Sequence, residues 1–120
     1  MAVTITSGGG RHFAKKHITF TADGTATISF DRPVRRLSFT SDGVDGGGTL
    51  TWKVSNNSAD FSAFGACTSA DPANATAVTS ATAAGNWQTM FQLGTYDTYQ
   101  FILAGATGPT LVLDVYAELL

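Results

Sequence analysis

The stretch KHITFTADGTATISF, residues 16–30, decides the fold class. Ile18 and Phe20 alternate with threonine, and Ala26, Ile28 and Phe30 alternate with Thr27 and Ser29. A period of two places successive side chains on opposite faces of an extended chain, so each half reads as a β-strand with one buried face. Asp23-Gly24 lies between the halves and readily supplies the positive φ angles of a tight turn. The spacing predicts a hairpin over residues 16–30.

The same period recurs on both sides of that stretch. VRRLSFT (34–40) turns Leu37 and Phe39 inward, and Pro33 stands just before it, where a residue without an amide hydrogen is tolerated. After a run dense in turn formers, residues 41–48, GTLTWKVS (48–55) alternates with Leu50, Trp52 and Val54 on the buried side. Asn56-Asn57-Ser58 then turns the chain. Trp87, Thr89, Phe91 and Leu93 predict a strand over 86–93, and a turn over 94–97 follows. Tyr99, Phe101 and Leu103 share a face in TYQFILA (98–104), and residues 104–109 turn again. Leu111, Leu113, Val115 and Ala117 do the same in TLVLDVYAELL (110–120). Residues 59–85 are rich in Ala, Thr and Ser; Phe61 and Phe64 anchor them, 70–74 reads as a loop, and ATAVTSAT (75–82) as an edge strand. About nine strands with regular turn signals and no helix predict an all-β fold, a jelly-roll-like two-sheet antiparallel sandwich.

Composition agrees. The chain has 120 residues, of which 43% are hydrophobic and 13% charged, about half the usual charged share, with Thr, Ser, Ala and Gly filling the surface instead. That length suits one domain. We expect residues 1–17 to be an N-terminal strand or flexible basic arm, with Gly8-Gly9-Gly10 as its link, and residues 18–120 to be a single β-sandwich domain. MAVTITSGGG has no charged start leading into an apolar run, and no stretch nears the roughly 20 apolar residues of a membrane span, so neither a secretory signal nor a membrane partner is expected. Cys67 is the only cysteine, which excludes an internal disulfide and a thiolate metal cluster.

Charge is unevenly placed. All seven Lys and Arg lie at or before Lys53 and, against four Asp there, leave +3; Asp60, Asp71, Asp97, Asp114 and Glu118 give the remainder −5. Halves of opposite sign can supply complementary faces for identical subunits.

No pattern of catalytic residues stands out. His12 and His17 lack neighbouring cysteines and carboxylates for a metal site, and Cys67 lacks the surroundings of an activated nucleophile. Asp60, Asp71, Asp97 and Asp114 could pair only through the fold. Asp42 and Asp45 sit in a loop without the oxygen ligands of a calcium site, and the glycine runs have neither the P-loop spacing nor a following helix. Asn56-Asn57-Ser58 and Asn74-Ala75-Thr76 match the glycosylation pattern by composition alone. We therefore expect no enzyme and no cofactor. Arg11, Lys15, Lys16, Arg32, Arg35 and Arg36 are the candidate partner-binding residues; the acidic overall charge and the lack of interleaved aromatics point them at a protein surface rather than nucleic acid. The alternative from another class is a carbohydrate-binding module, with Trp87, Tyr96, Asp97 and Tyr99 as sugar contacts.

RRLSFTSDG (35–43), GGTLTWKVSNNSADFSAFG (47–65) and NWQTMFQLGTYDTYQFILAGATGPTLVLDVYAEL (86–119) occur in an order that resembles small β-sandwich proteins of tailed bacteriophage virions. The resemblance covers about two thirds of the chain, is carried by structural motifs, and extends to discoidin-type jelly rolls. It implies a capsid decoration, or cement, protein: made in the bacterial host cytoplasm, located in the virion, bound to the major capsid protein or other virion proteins, and a homo-oligomer, with a trimer favoured. On that reading the sugar-binding alternative is a module of a tail fibre or tail tip.

Overall fold

A computed structural model describes residues 3–42, 47–57, 59–68, 77–82, 84–89, 96–107 and 109–119. Within them the chain forms eleven strands: β1 (Val3–Gly9), β2 (Phe13–Phe20), β3 (Gly24–Ser29), β4 (Val34–Ser41), β5 (Thr49–Ser55), β6 (Ser62–Ala63), β7 (Ala66–Cys67), β8 (Ser80–Ala81), β9 (Gly85–Thr89), β10 (Thr98–Ala104) and β11 (Leu111–Leu119). They make two antiparallel sheets. One has six strands in the order β1-β2-β11-β4-β9-β7; the other has five, β3-β10-β5-β6 with β8 also on β5. Among the described strands only the β1–β2 and β5–β6 connections stay within a sheet, and every other one crosses the sandwich. The fold is the jelly-roll-like sandwich that the alternation predicts, and three two-residue strands, β6 to β8, raise the strand count above nine.

The hairpin expected over residues 16–30 does not form. β2 pairs with β1 and β11, while β3 pairs with β10 in the facing sheet. Alternation fixes which face of each strand is buried but not which partner it pairs with, and two strands facing each other across the core satisfy it equally. Asp23 shows the consequence: its carboxylate accepts the amides of Gly105 and Ala106 at 2.9 Å, tying the crossover to the far end of β10.

The core lies between the sheets. Ile18, Phe20, Leu37, Phe39, Leu111, Leu113 and Val115 face it from the six-stranded side; Ile28, Leu50, Trp52, Tyr99, Phe101 and Leu103 face it from the other. Phe39 is its centre, meeting Trp52 and Phe101 edge-on at 4.9 and 5.2 Å and stacking on Trp87 at 5.6 Å. Trp52 can be buried because its indole N–H donates to the carbonyl of Phe64 at 3.0 Å.

Residues 3–17 are not detached from this core. β1 pairs with β2 from Val3↔Phe20 to Gly9↔Ala14, and the turn at residues 10–12 closes with Gly10 N–H donating to Phe13 O. In the stretch 59–85, Phe64 is buried, Val78 bridges Ala66, and β8 docks on β5, so part of ATAVTSAT does lie at a sheet edge. The expected strand 86–93 is seen as far as Thr89; Phe91, Leu93, the whole of the loop 70–74, Asp71 within it, and Asp45 lie outside the described residues.

Candidate binding face

The register of the six-stranded sheet lines up side chains that are far apart in sequence. Thr6, His17, Asp114, Thr40 and Asn86 stand abreast on β1, β2, β11, β4 and β9. Two residues along, Gly8, Lys15, Tyr116, Ser38 and Gln88 form the neighbouring row on the same outer face. At about 4.8 Å between strands, each row spans roughly 19 Å.

The rows carry mixed chemistry. His17 Nδ1 lies 2.5 Å from Asp114 Oδ1, and Thr40 Oγ1 donates to Asn86 Oδ1 at 2.5 Å. Tyr116 is 42% exposed, and its ring stacks on Phe13 with centroids 5.3 Å apart and planes 14° from parallel. Lys15 Nζ sits 5.9 Å from the centre of the Phe13 ring. Between these groups runs a groove of about 410 Å³, walled by Thr6, Lys15, His17, Ser38, Thr40 and Tyr116.

One end of the same sheet is basic. VRRL breaks the alternation, and the structure answers with a β-bulge: Leu119 pairs with Val34 and Glu118 with Arg36, so Arg35 is the extra residue. Val34 and Leu37 both stay buried while Arg35 and Arg36 both stay exposed. Arg35 reaches Glu118 at 3.7 Å, and Arg32 donates to the carbonyl of Arg11 across the end of the sheet. Four of the candidate partner-binding residues, Arg11, Arg32, Arg35 and Arg36, are thus gathered where β2 and β4 begin, and Lys15 lies next along on the outer face. Lys16 parts from them. It shares the inward side of β2 with Ile18, donates to Ser7 Oγ at 2.9 Å and lies 5.6 Å from the Phe30 ring.

The expected sugar contacts are corrected by burial. Tyr99 is fully buried and Trp87 is 7% exposed, so neither ring is available to stack on a ligand. Tyr96 is half-buried against the core, and the Asp97 carboxylate accepts the Thr98 hydroxyl at 2.9 Å. Burial, with smaller contributions from Asp97 and Tyr96, pushes the Tyr99 phenol far above its usual value. Trp87 and Tyr99 take the inward phase of β9 and β10, while Tyr96 and Asp97, just before β10, are half-buried. Among the described residues the exposed aromatic is Tyr116, and half-buried Phe13 stacks on it; sequence reasoning passed over both. The signal was there: each occupies the outward phase of its strand, where an aromatic has no core to fill.

The remaining candidates are separated. His17 is engaged by Asp114, whereas His12 sits in the β1–β2 turn with its carbonyl accepting Leu119 N–H. Asp42 clamps β11, its carboxylate accepting Val112 N–H at 2.9 Å, and Asp60 accepts from the Asn57 amide. Cys67 is buried. Among the described residues no three His, Cys, Asp or Glu side chains gather as metal ligands, and no helix is long and apolar enough to cross a membrane.

No protein-family model matches the chain, and no curated protein sequence is similar to it. Its fold is similar to that of solved structures. One is the SPBc2 prophage-derived protein YomS, with a TM-score of 0.63 at 12% identity over 98% of this chain and 96% of that one. Another is the PBSX exported protein XepA, with a TM-score of 0.61 at 17% identity over 86% of this chain; the match takes in 38% of XepA. At these identities the likeness is one of fold.

Proposed function

We infer that this chain is a structural protein of a bacteriophage particle, and specifically a decoration protein that attaches to the assembled capsid shell. The observation that carries this reading is the end-to-end correspondence with a prophage-derived sandwich of the same extent. Two features of the surface support attachment. The gathered arginines offer a basic end for acidic patches on a shell protein, where electrostatic complementarity sets orientation and on-rate. β1 offers a seven-residue sheet edge whose Ile5 is 39% exposed, a surface for pairing with a neighbouring subunit. A symmetric homo-oligomer, a trimer on a threefold position of the shell, would multiply weak contacts into stable binding.

The test is uptake by undecorated phage shells. Saturable binding at a fixed number of copies per capsomer, weakened about tenfold or more by Arg35→Glu with Arg36→Glu, is the expected result. Absence of uptake by shells of the phage that encodes the chain would overturn it.

A further inference from the structure

The groove on the outer face of the six-stranded sheet is not needed for attachment through the basic end or through the β1 edge. We propose that it is a binding site for an acidic oligosaccharide, one whose sugar rings carry carboxylates.

Three observations lead there. The first is the aromatic platform. Tyr116 is held flat by stacking on Phe13, with its ring partly open to solvent at the groove wall. A sugar ring presents an apolar face of C–H groups, which an exposed, immobilised aromatic can cover at little entropic cost. The second is the row of polar groups beside it. His17 and Asp114 orient each other, and Thr6, Ser38 and Thr40 add hydroxyls. These are donors and acceptors of the kind that sugar hydroxyls satisfy. The third is charge. Among the described residues the groove's one carboxylate, Asp114, is paired with His17, while Lys15 has no carboxylate partner and rests near the Phe13 ring. With His17 counted as neutral, the Lys15 and Lys16 ammoniums on the lining still outnumber that one carboxylate, and Lys15, beside the platform, selects a carboxylate on the ligand.

The site also has a built-in control. Gly8 stands opposite Lys15 in the same row, and a Cβ added there would meet nothing within 4 Å. Gly8→Val would therefore place its side chain on the β1 side of the groove with room for its Cβ and no backbone strain.

The experiment is a titration of isotope-labelled protein with a tri-uronate, followed by amide chemical shifts, beside its carboxyl-reduced neutral counterpart. Saturable shifts at Thr6, Gly8, Lys15, His17 and Tyr116 are expected, with affinity falling about tenfold for the neutral trisaccharide, for Lys15→Gln and for Tyr116→Ala. Gly8→Val should abolish the shifts while keeping a native spectrum, and Arg35→Glu with Arg36→Glu, at the basic end, should weaken shell uptake while leaving the shifts intact, which separates this site from attachment. The proposal is overturned by an absence of saturable shifts, by equal affinity for both trisaccharides, or by binding that Gly8→Val leaves intact.

Discussion

At the scale of single residues, two adjacent glycines make opposite predictions. Gly9 has φ +140°, and a Cβ there would lie 2.6 Å from the Phe13 carbonyl oxygen, closer than any side chain permits. Gly9→Ala is expected to destabilise the fold by about 1–3 kcal/mol through backbone strain and collision. Gly8→Ala, in an unobstructed extended position, should be neutral or stabilising by up to about 1 kcal/mol. Urea denaturation of the two variants side by side checks both. Tyr99 gives a pH prediction. Its phenol ionises far more reluctantly in the folded state than the ordinary value of about 10 in the unfolded chain, so above about pH 10 the unfolded state sheds its proton first. Its contribution to stability is whole below that pH and is lost as pH rises beyond it. Tyr99→Phe removes the ionisable group, so the alkaline unfolding midpoint should move to higher pH; an unchanged midpoint would rule this residue out as the cause.

The strands and their partners test how the sheet is specified. Because Arg35 is the extra residue of the bulge, deleting it would leave Val34-Arg36-Leu37 in plain alternation, buried, exposed, buried. The deletion should fold with stability within about 1 kcal/mol of the parent, and the chain would lose one arginine from the basic end. Deleting Ser38 instead would have to flip either Leu37 or Phe39 out of the core, and a loss of the native near-ultraviolet signal is expected. At the other side of the sheet, Ile5→Lys would place a charge on the inner face of the β1 edge, a device that blocks strand addition. If β1 joins subunits, light scattering should show a smaller species for this variant.

These elements also show what the sequence could and could not reveal. Trp52, Phe39 and Leu113 were readable as core because alternation states which side of a strand is buried. Partners were not readable: residues 16–30 carry a turn signal and two amphipathic halves, yet β2 and β3 belong to different sheets. The candidate site was half legible. Clustered arginines in the sequence became a cluster in space, since 32–36 and 11–15 meet at one end of one sheet. The groove was hidden, because His17 and Asp114 are 97 residues apart and only the pairing of β2 with β11 makes them neighbours.

For the molecule as a whole, charge and topology act together. Among the described residues the basic first half and the acidic second half do not form two poles. β11, which carries Asp114 and Glu118, lies between β2 and β4, so its carboxylates meet side chains of the first half strand by strand, in His17–Asp114 and Arg35–Glu118. These pairs are solvent-exposed, and each is worth no more than about 1 kcal/mol, which makes them guides to register more than a source of stability. Nearly every connection crosses the sandwich, so native contacts close long loops before they are rewarded. Folding should therefore take milliseconds to seconds, and stopped-flow fluorescence of Trp52 and Trp87 would measure it.

The placement of β11 bears on how a cell makes this protein. The strand that fills the middle of the six-stranded sheet is the last one translated of the eleven. Until residues 111–119 clear the ribosome, the β1–β2 and β4–β9 pairs have no common partner, and two inner edges lie open. At roughly 5–20 residues per second that interval is brief but real. A nascent chain stalled just short of Leu111 would carry a slot shaped for one strand, which a peptide of that sequence supplied in trans could occupy.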